Sequence, residues 1–252
     1  MPLDELSVAA WLVLGLAGVL IGVAKTAISG VGSLAIVIFA AVLPARESTG
    51  AVLPLLLCGD AVAVTYYRRH ADWAILGRLL PGVLPGLLLG VAFLAVADDA
   101  VVRESIAVIL LAMCAIQLWQ RSRGSDIAGT RAPAHPHGGL SLAMGATAGF
   151  ATMTANAAGP VTTLYLIMAG LPKLEMLGTG AWFYLTVNLA KVPLSAGLGL
   201  ITPESLAMDA LLVPAMMCGA VGGIALIRTM SQNRFEIVAL AFSAAAAFLL
   251  LL

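Results

Sequence analysis

Residues 80–90 read LPGVLPGLLLG and residues 213–223 read VPAMMCGAVGG. Pro81 aligns with Pro214, Gly86 with Gly219 and Gly90 with Gly223. Working outward from this pair, the same punctuation recurs in the same order. Thr49-Gly50 and Thr179-Gly180 open the preceding apolar run. Leu43-Pro44 and Leu171-Pro172 end the run before that, and Gly18 and Gly149 open similar Gly/Thr/Ser-rich segments. One such match would carry little; an ordered series reads as one unit written twice.

The unit is a membrane unit. The chain has 252 residues, 61% of them hydrophobic and only 10% charged, with zero formal net charge. Its mean hydropathy is +1.04. A soluble chain carries about 25% charged residues, so most of this surface must face lipid. No basic face exists to neutralise phosphates, which excludes nucleic acid as a partner. Cys58, Cys114 and Cys218 are scattered through apolar runs with no metal-type spacing, and read as small packing residues. The first apolar run is preceded by Asp4 and Glu5 rather than by a basic segment, which argues against a cleavable leader.

Apolar runs fall at 6–24, 27–43, 50–67, 77–97 and 101–119, then at 138–153, 157–171, 178–199, 206–227 and 235–252. A helix needs about 20 residues to cross a bilayer. The third to fifth runs of each half meet that length. The first two of each half are shorter and broken by Gly and hydroxyl residues, as short tilted spans or a re-entrant hairpin. The expected fold is therefore an all-α polytopic membrane protein with two inverted-topology repeats. Each repeat holds a short broken helix pair plus three transmembrane helices. Residues 1–120 form the first repeat, 121–137 a cytoplasmic linker bearing His135 and His137, and 138–252 the second repeat.

Inversion follows from the basic residues. Arg68, Arg69 and Arg78, then Arg121, Arg123 and Arg131, then Arg228 and Arg234 mark three cytoplasmic loops. The loops near 97–103 and 200–205 are acidic or lack bases and should face outward. Lys173 suggests an inside position for 172–177, and the loop 44–49 falls outside despite Arg46. Each half then makes an odd number of crossings, and both termini lie outside.

Charge inside the apolar runs marks candidate function, because a charge at that depth is expensive. Lys25 lies in GVLIGVAKTAISGVGS, residues 18–33, and Lys191 in LTVNLAKVPLSAG, residues 185–197. Lys25, Thr26, Ser29, Gly30, Gly32 and Ser33 cluster in the first broken pair. Thr152, Thr154, Asn156, Gly159, Pro160, Thr162 and Thr163 cluster in the second. Broken helices expose N–H groups at half-helix N-termini, which favour an anion; small residues at these places also serve close helix packing. The candidate substrate-binding set is Lys25, Thr26, Ser29, Gly30, Thr154, Asn156, Asn188 and Lys191. Lys25 reads either as a substrate contact at a hairpin tip or as a snorkelling anchor at the end of a full span. Asp60, read as the only acid deep in an apolar run, is either the partner of Lys191 or Lys25 in a structural ion pair or a proton-coupling group. Lys191–Asp60 is the candidate pair across the repeats, leaving Lys25 to meet the anion. No nucleophile constellation, HExxH, Walker A or dinucleotide motif stands in its required context, so no enzyme activity, catalytic residue, metal or cofactor is expected.

The stretch VLPLLLCGDAVAVTYYRRHADWAILGRLLPGVLPGLLLG, residues 52–90, resembles the first-half core of the TauE/SafE sulfite exporter family. An acid in the third segment, a basic YRRH loop followed by Trp, and a Pro/Gly-rich fourth segment carry the likeness. The Gly-rich opening at Gly18–Gly32 and GTGAWFYLTVNLAKVP, residues 178–193, also fit. The resemblance implies an inner-membrane permease for sulfite, organosulfonates or related sulfur-containing anions; the inverted repeats imply an exporter working by alternating access at the repeat interface. It highlights Gly22, Gly30, Gly32, Asp60, Arg68, Arg69, Pro81, Gly180, Asn188 and Lys191. Lys25, Thr26 and Ser29 stand where the family is often richer in Gly, a departure that points to a substrate other than sulfite itself. The expected partners are a small anion, protons as coupling ion, the lipid bilayer and a second copy of the chain. A passive anion channel and a membrane-embedded accessory subunit are the alternatives.

Overall fold

The computed structural model describes residues 6–27, 31–122 and 138–229, and within them only helices and turns. The central linker with His135 and His137, the run at 235–252, and Ser29 and Gly30 lie outside the described residues. In the first half the helices are α1 (Val8–Thr26), α2 (Gly32–Val42), α3 (Ala45–Ala51), α4 (Leu53–Tyr67), α5 (Trp73–Val96) and α6 (Asp99–Ser122). In the second they are α7 (Gly138–Ala155), α8 (Ala158–Met168), α9 (Lys173–Gly197) and α10 (Pro203–Thr229).

Among the described residues four segments are long and apolar enough to cross a membrane: Val8–Thr26, Ala45–His70, Trp73–Val96 and Pro203–Ile227. The second joins α3, α4 and the 3-10 turn Arg68–His70. The broken pairs differ from the expectation of two short pieces. α1 has 19 residues and α7 has 18, whereas α2 and α8 have 11 each. At 1.5 Å per residue an 11-residue helix rises about 16 Å, roughly half of a ~30 Å hydrocarbon core. Each pair is thus a near-full span followed by a half-length helix.

Helix ends are placed by identifiable residues. Ser7 accepts from Ala10 N at 3.1 Å to open α1, and Asp72 accepts from Ala74 N and Ile75 N to open α5. Thr202 accepts from Ser205 N at 3.2 Å at the start of α10. The far ends of α5 and α10 are closed from another helix: Arg46 Nε donates to Leu94 O at 2.9 Å and Lys173 Nζ donates to Ile227 O at 2.6 Å.

Packing follows from glycine. The most extensive helix contacts join α5 to α7 and α1 to α10. A Cβ on Gly22 would lie 2.0 Å from Met216 O, and one on Gly219 2.0 Å from Val19 O. On the other seam, a Cβ on Gly86 would lie 2.0 Å from Ala146 O, and one on Gly149 2.3 Å from Val83 O. These backbones touch because no side chain intervenes, the device by which membrane helices gain dispersion contacts without a hydrophobic drive. Each seam is parallel, since contacts advance together along both chains, as in Gly82 to Leu142 and Gly90 to Met153. By contrast the segment Ala45–His70, which contains α4, runs antiparallel to α9: Gly50 near its start packs on Leu200 just past the end of α9, and Gly178 near the start of α9 packs on His70.

The outer faces of α1, α5 and α10 carry exposed Leu12, Leu16, Leu84, Leu88, Leu89, Leu211 and Val221, a surface suited to lipid. Cys58 and Cys218 are also exposed, so these two are not the packing residues their apolar neighbours suggested. The side chain of Cys114 lies outside the described set.

Candidate functional site

The helix breaks converge on one cavity of about 60 Å³. Its wall includes Lys25 from the last turn of α1, Gly32 and Ser33 from the first turn of α2, and Thr152 and Asn156 from the end of α7. Ala158 and Gly159 open α8 on the same wall, Tyr184 and Asn188 enter from α9, and Ile21, Ile36 and Leu56 supply apolar surface. Among the described residues no side chain caps the N-terminus of α2 or α8. The first-turn N–H groups of a helix have no acceptor within it. Two half-helix N-termini, both carrying the positive end of a helix dipole, therefore border the same small space.

Lys25 is the cation of that space. Its Nζ stands 2.7 Å from Asp60 Oδ1, with 11% of the lysine side chain exposed and none of the aspartate. The ammonium also lies 5.0 Å from the centroid of the Tyr184 ring, within reach of the ring quadrupole. Asn188 Nδ2 donates to the other carboxylate oxygen at 2.6 Å. Asp60 is thus answered by a full charge and an amide, the condition under which a buried carboxylate is tolerable.

This corrects the expected pairing. Asp60 pairs with Lys25, on its own half of the chain, and not with Lys191. Lys191 is fully buried and its Nζ donates to Thr152 O at 2.7 Å and to Asn156 Oδ1. It caps the C-terminal end of α7 from outside, because carbonyls in a helix's last turn have no intrahelical donor and a cation there opposes the dipole. Lys25 departs from its reading as a snorkelling anchor. α1 is a near-full span, yet the ammonium at its end turns inward to Asp60 rather than snorkelling out.

Asn156 holds the second break. It is the one described non-glycine residue with positive φ, at 48°, a left-handed conformation that Asn tolerates better than most residues. Its Oδ1 accepts from Lys191 and its Nδ2 donates to Thr49 O at 2.9 Å. The side chain spans the gap between α3 and α9 while its residue lines the cavity.

Of the other residues expected to contact a ligand, Thr26 and Thr154 point elsewhere. Thr26 Oγ1 lies 2.9 Å from Gly22 O and 3.0 Å from Ala220 O, stapling α1 to α10. Thr154 Oγ1 donates to Phe150 O within its own helix at 2.9 Å. Neither lines the cavity; helix hydroxyls facing a crowded seam return to the backbone. Tyr184 was missed, although it stands one helical turn before Asn188 and so shares its face. Asp209 was missed as well: it is 3% exposed, so Asp60 is not the only acid within an apolar run.

The family model for the sulfite exporter TauE/SafE matches residues 14–250 of the chain, nearly its whole length. No curated protein and no solved structure matches it.

Proposed function

Because the chain belongs to the sulfite exporter TauE/SafE family, a family of membrane transporters rather than enzymes, we propose that it is an alternating-access secondary transporter. Its cargo would be a small sulfur-containing anion, sulfite or a short organosulfonate, bound in the cavity between the two helix breaks and exported across the inner membrane. The observation that carries this reading is the meeting of the Lys25 ammonium with the N-termini of α2 and α8 on one cavity. An oxyanion there could accept from first-turn N–H groups, from Ser33 and from the amides of Asn156 and Asn188. A membrane potential negative inside assists outward movement of each negative charge not balanced by a co-moving proton by ~2.3 kcal/mol per 100 mV.

The two-repeat plan supports rocking of one unit against the other. The parallel seams relate the halves consistently. Gly22 meets Met216 and Ala220 as Gly149 meets Val83 and Leu87. Gly18 meets Leu212 as Gly145 meets Leu79. Arg46 caps α5 as Lys173 caps α10. On this correspondence Gly18 belongs with Gly145, one turn from the Gly149 that its neighbouring residues suggested. The antiparallel run of α4 against α9 is what inversion of one repeat would produce. Both termini outside and the central linker inside remain part of the reading.

Asp60 is the natural switch. While it is ionised it holds Lys25; a proton on Asp60 would release the ammonium to the cavity and favour anion binding. This couples anion to proton through a shared lysine. The test is anion counterflow in proteoliposomes loaded with sulfite or a short sulfonate, with and without a proton gradient. Saturable exchange in wild type, abolished in Lys25→Gln, supports the site. Linear, non-exchanging flux would mean a channel. A gradient response unchanged in Asp60→Asn would remove Asp60 from coupling.

A further inference from the structure

The third segment of the first half contains a break that α9 lacks. Pro54 stands at the start of α4; it has no N–H, and its ring displaces the carbonyl four residues back. α3 therefore ends at Ala51 and α4 begins at Leu53. The N–H of Leu55 loses its acceptor within the helix. Asp209 of α10 replaces it, with Leu55 N donating to Oδ2 at 3.2 Å.

That cap uses one oxygen only. Asp209 is 3% exposed, and its Oδ1 has no hydrogen-bond partner among the described residues. The contrast with Asp60, answered by Lys25 and Asn188, is sharp. The charged and titratable groups on the described elements packed most extensively against α10 are Lys25 on α1, Arg46 and Glu47 on α3, and Cys58, Asp60, Tyr66 and Tyr67 on α4, with Glu204 and Cys218 on α10 itself, where the side chain of Arg228 lies outside the described residues. Lys25 is committed to Asp60, and Arg46 to Leu94 O. Among the described residues no cation pairs with Asp209. A single backbone bond does not offset removal of a carboxylate from water; a neutral acid satisfies the same bond through its carbonyl oxygen and needs no counter-ion.

We propose that Asp209 is a second proton-exchanging carboxyl in the membrane interior, holding a proton on Oδ1 while α4 and α10 are packed together and releasing it when they part. The step is the transfer of one proton from hydronium to the carboxylate, giving the neutral acid and water, and its reversal. The binding of the proton stands on the geometry above; its use in coupling rests on the transport reading.

Infrared spectroscopy of the full-length protein in lipid at neutral pH tests it. A carbonyl band of a protonated carboxyl is expected in wild type and in Asp60→Asn, and is lost in Asp209→Asn, whose amide oxygen can still accept from Leu55. If Asp209→Asn does not fold, Asp209→Glu serves, moving the band rather than removing it. No band in wild type, or a band unaltered by either Asp209 variant, overturns the proposal. In proteoliposomes, Asp209→Asn is expected to keep gradient-free exchange while losing gradient-driven accumulation; unaltered accumulation overturns the coupling role. Absence of any anion flux in wild type would instead refute the transport reading and leave the infrared result to decide the proton site.

Discussion

The break between α1 and α2 and the break between α7 and α8 approach the same cavity with different electrostatics. The first brings an ammonium, Lys25, balanced by Asp60 from α4 at 2.7 Å. The second brings no charge of its own; Asn156 and the end of α7 are held by Lys191, arriving from α9. Lys25 borders the cavity, whereas Lys191 is sealed behind it. Two lysines near the same cavity thus make different contacts. One is balanced by a carboxylate and borders the cavity. The other satisfies a backbone carbonyl and a side-chain amide.

The largest expected effect breaks the charged side of this comparison. Lys25→Gln leaves Asp60 without its cation and should destabilise the protein by about 3–5 kcal/mol, measured by chemical denaturation in detergent. The double variant Lys25→Gln/Asp60→Asn should recover much of that loss yet show no stabilisation by added sulfite. A double variant as unstable as the single one would mean that the pair is not the organising contact.

Next come the seams that hold both breaks in place. Gly22→Ala and Gly86→Ala each force a Cβ to within 2.0 Å of a facing carbonyl, and each should cost about 1–3 kcal/mol or more. Gly15, with nothing within 4 Å of an added Cβ, is the control: Gly15→Ala should be neutral or slightly stabilising in a melting experiment. Similar losses at Gly22 and Gly86 would strengthen the equivalence of the two seams; a loss at only one would weaken it.

Lys191→Met tests the uncharged side. It deprives Thr152 O and Asn156 Oδ1 of their donor and should cost roughly 1–3 kcal/mol. Because Lys191 does not line the cavity, an anion that stabilises wild type by binding its native state should still raise the melting temperature of this variant. If that response vanishes as completely as in Lys25→Gln, the distinction between the lysines fails. The smallest effect is at the turn itself. Asn156→Ala should be less stable than Asn156→Gly by about 1 kcal/mol, since alanine resists the left-handed backbone, while both lose the bridge to Thr49 O. Equal stabilities would show that the positive φ relaxes when the side chain is removed.

Much of the membrane character was legible because lipid imposes simple demands. Low charge and apolar runs of span length mark the α3–α4 segment, α5 and α10 directly, whereas α1, a span in the structure, read as a shorter broken piece. The breaks were legible from Gly, Pro and hydroxyl clusters, and the site clusters around Lys25, Asn156 and Asn188 fall on the cavity wall. The direction of side chains was not. Thr26 and Thr154 share the composition of a polar cluster, but a helix turns each successive residue by about 100°, and theirs face a seam or their own backbone. Asp209 escaped notice because it stands near the start of its run, where an acid reads as an interface residue. Only the break at Pro54, on another helix, explains its burial. Lys173 and Arg46 look like orientation signals in the sequence, yet each is also bonded to a distant helix end.

Read alone, the chain determined that it lives in a bilayer, that its helices break at two places, and that costly charge stands near both. These are local properties: hydropathy, backbone propensity and the absence of an N–H or a side chain. Which charge answers which was decided by tertiary structure. Asp60 lies within reach of lysines from two helices, and the choice of Lys25 over Lys191 depends on how α1 and α9 pack around α4. Packing settles it, because ion-pair energy in a poorly screened interior depends on the distance between the charges and on the hydrogen bonds each partner already has.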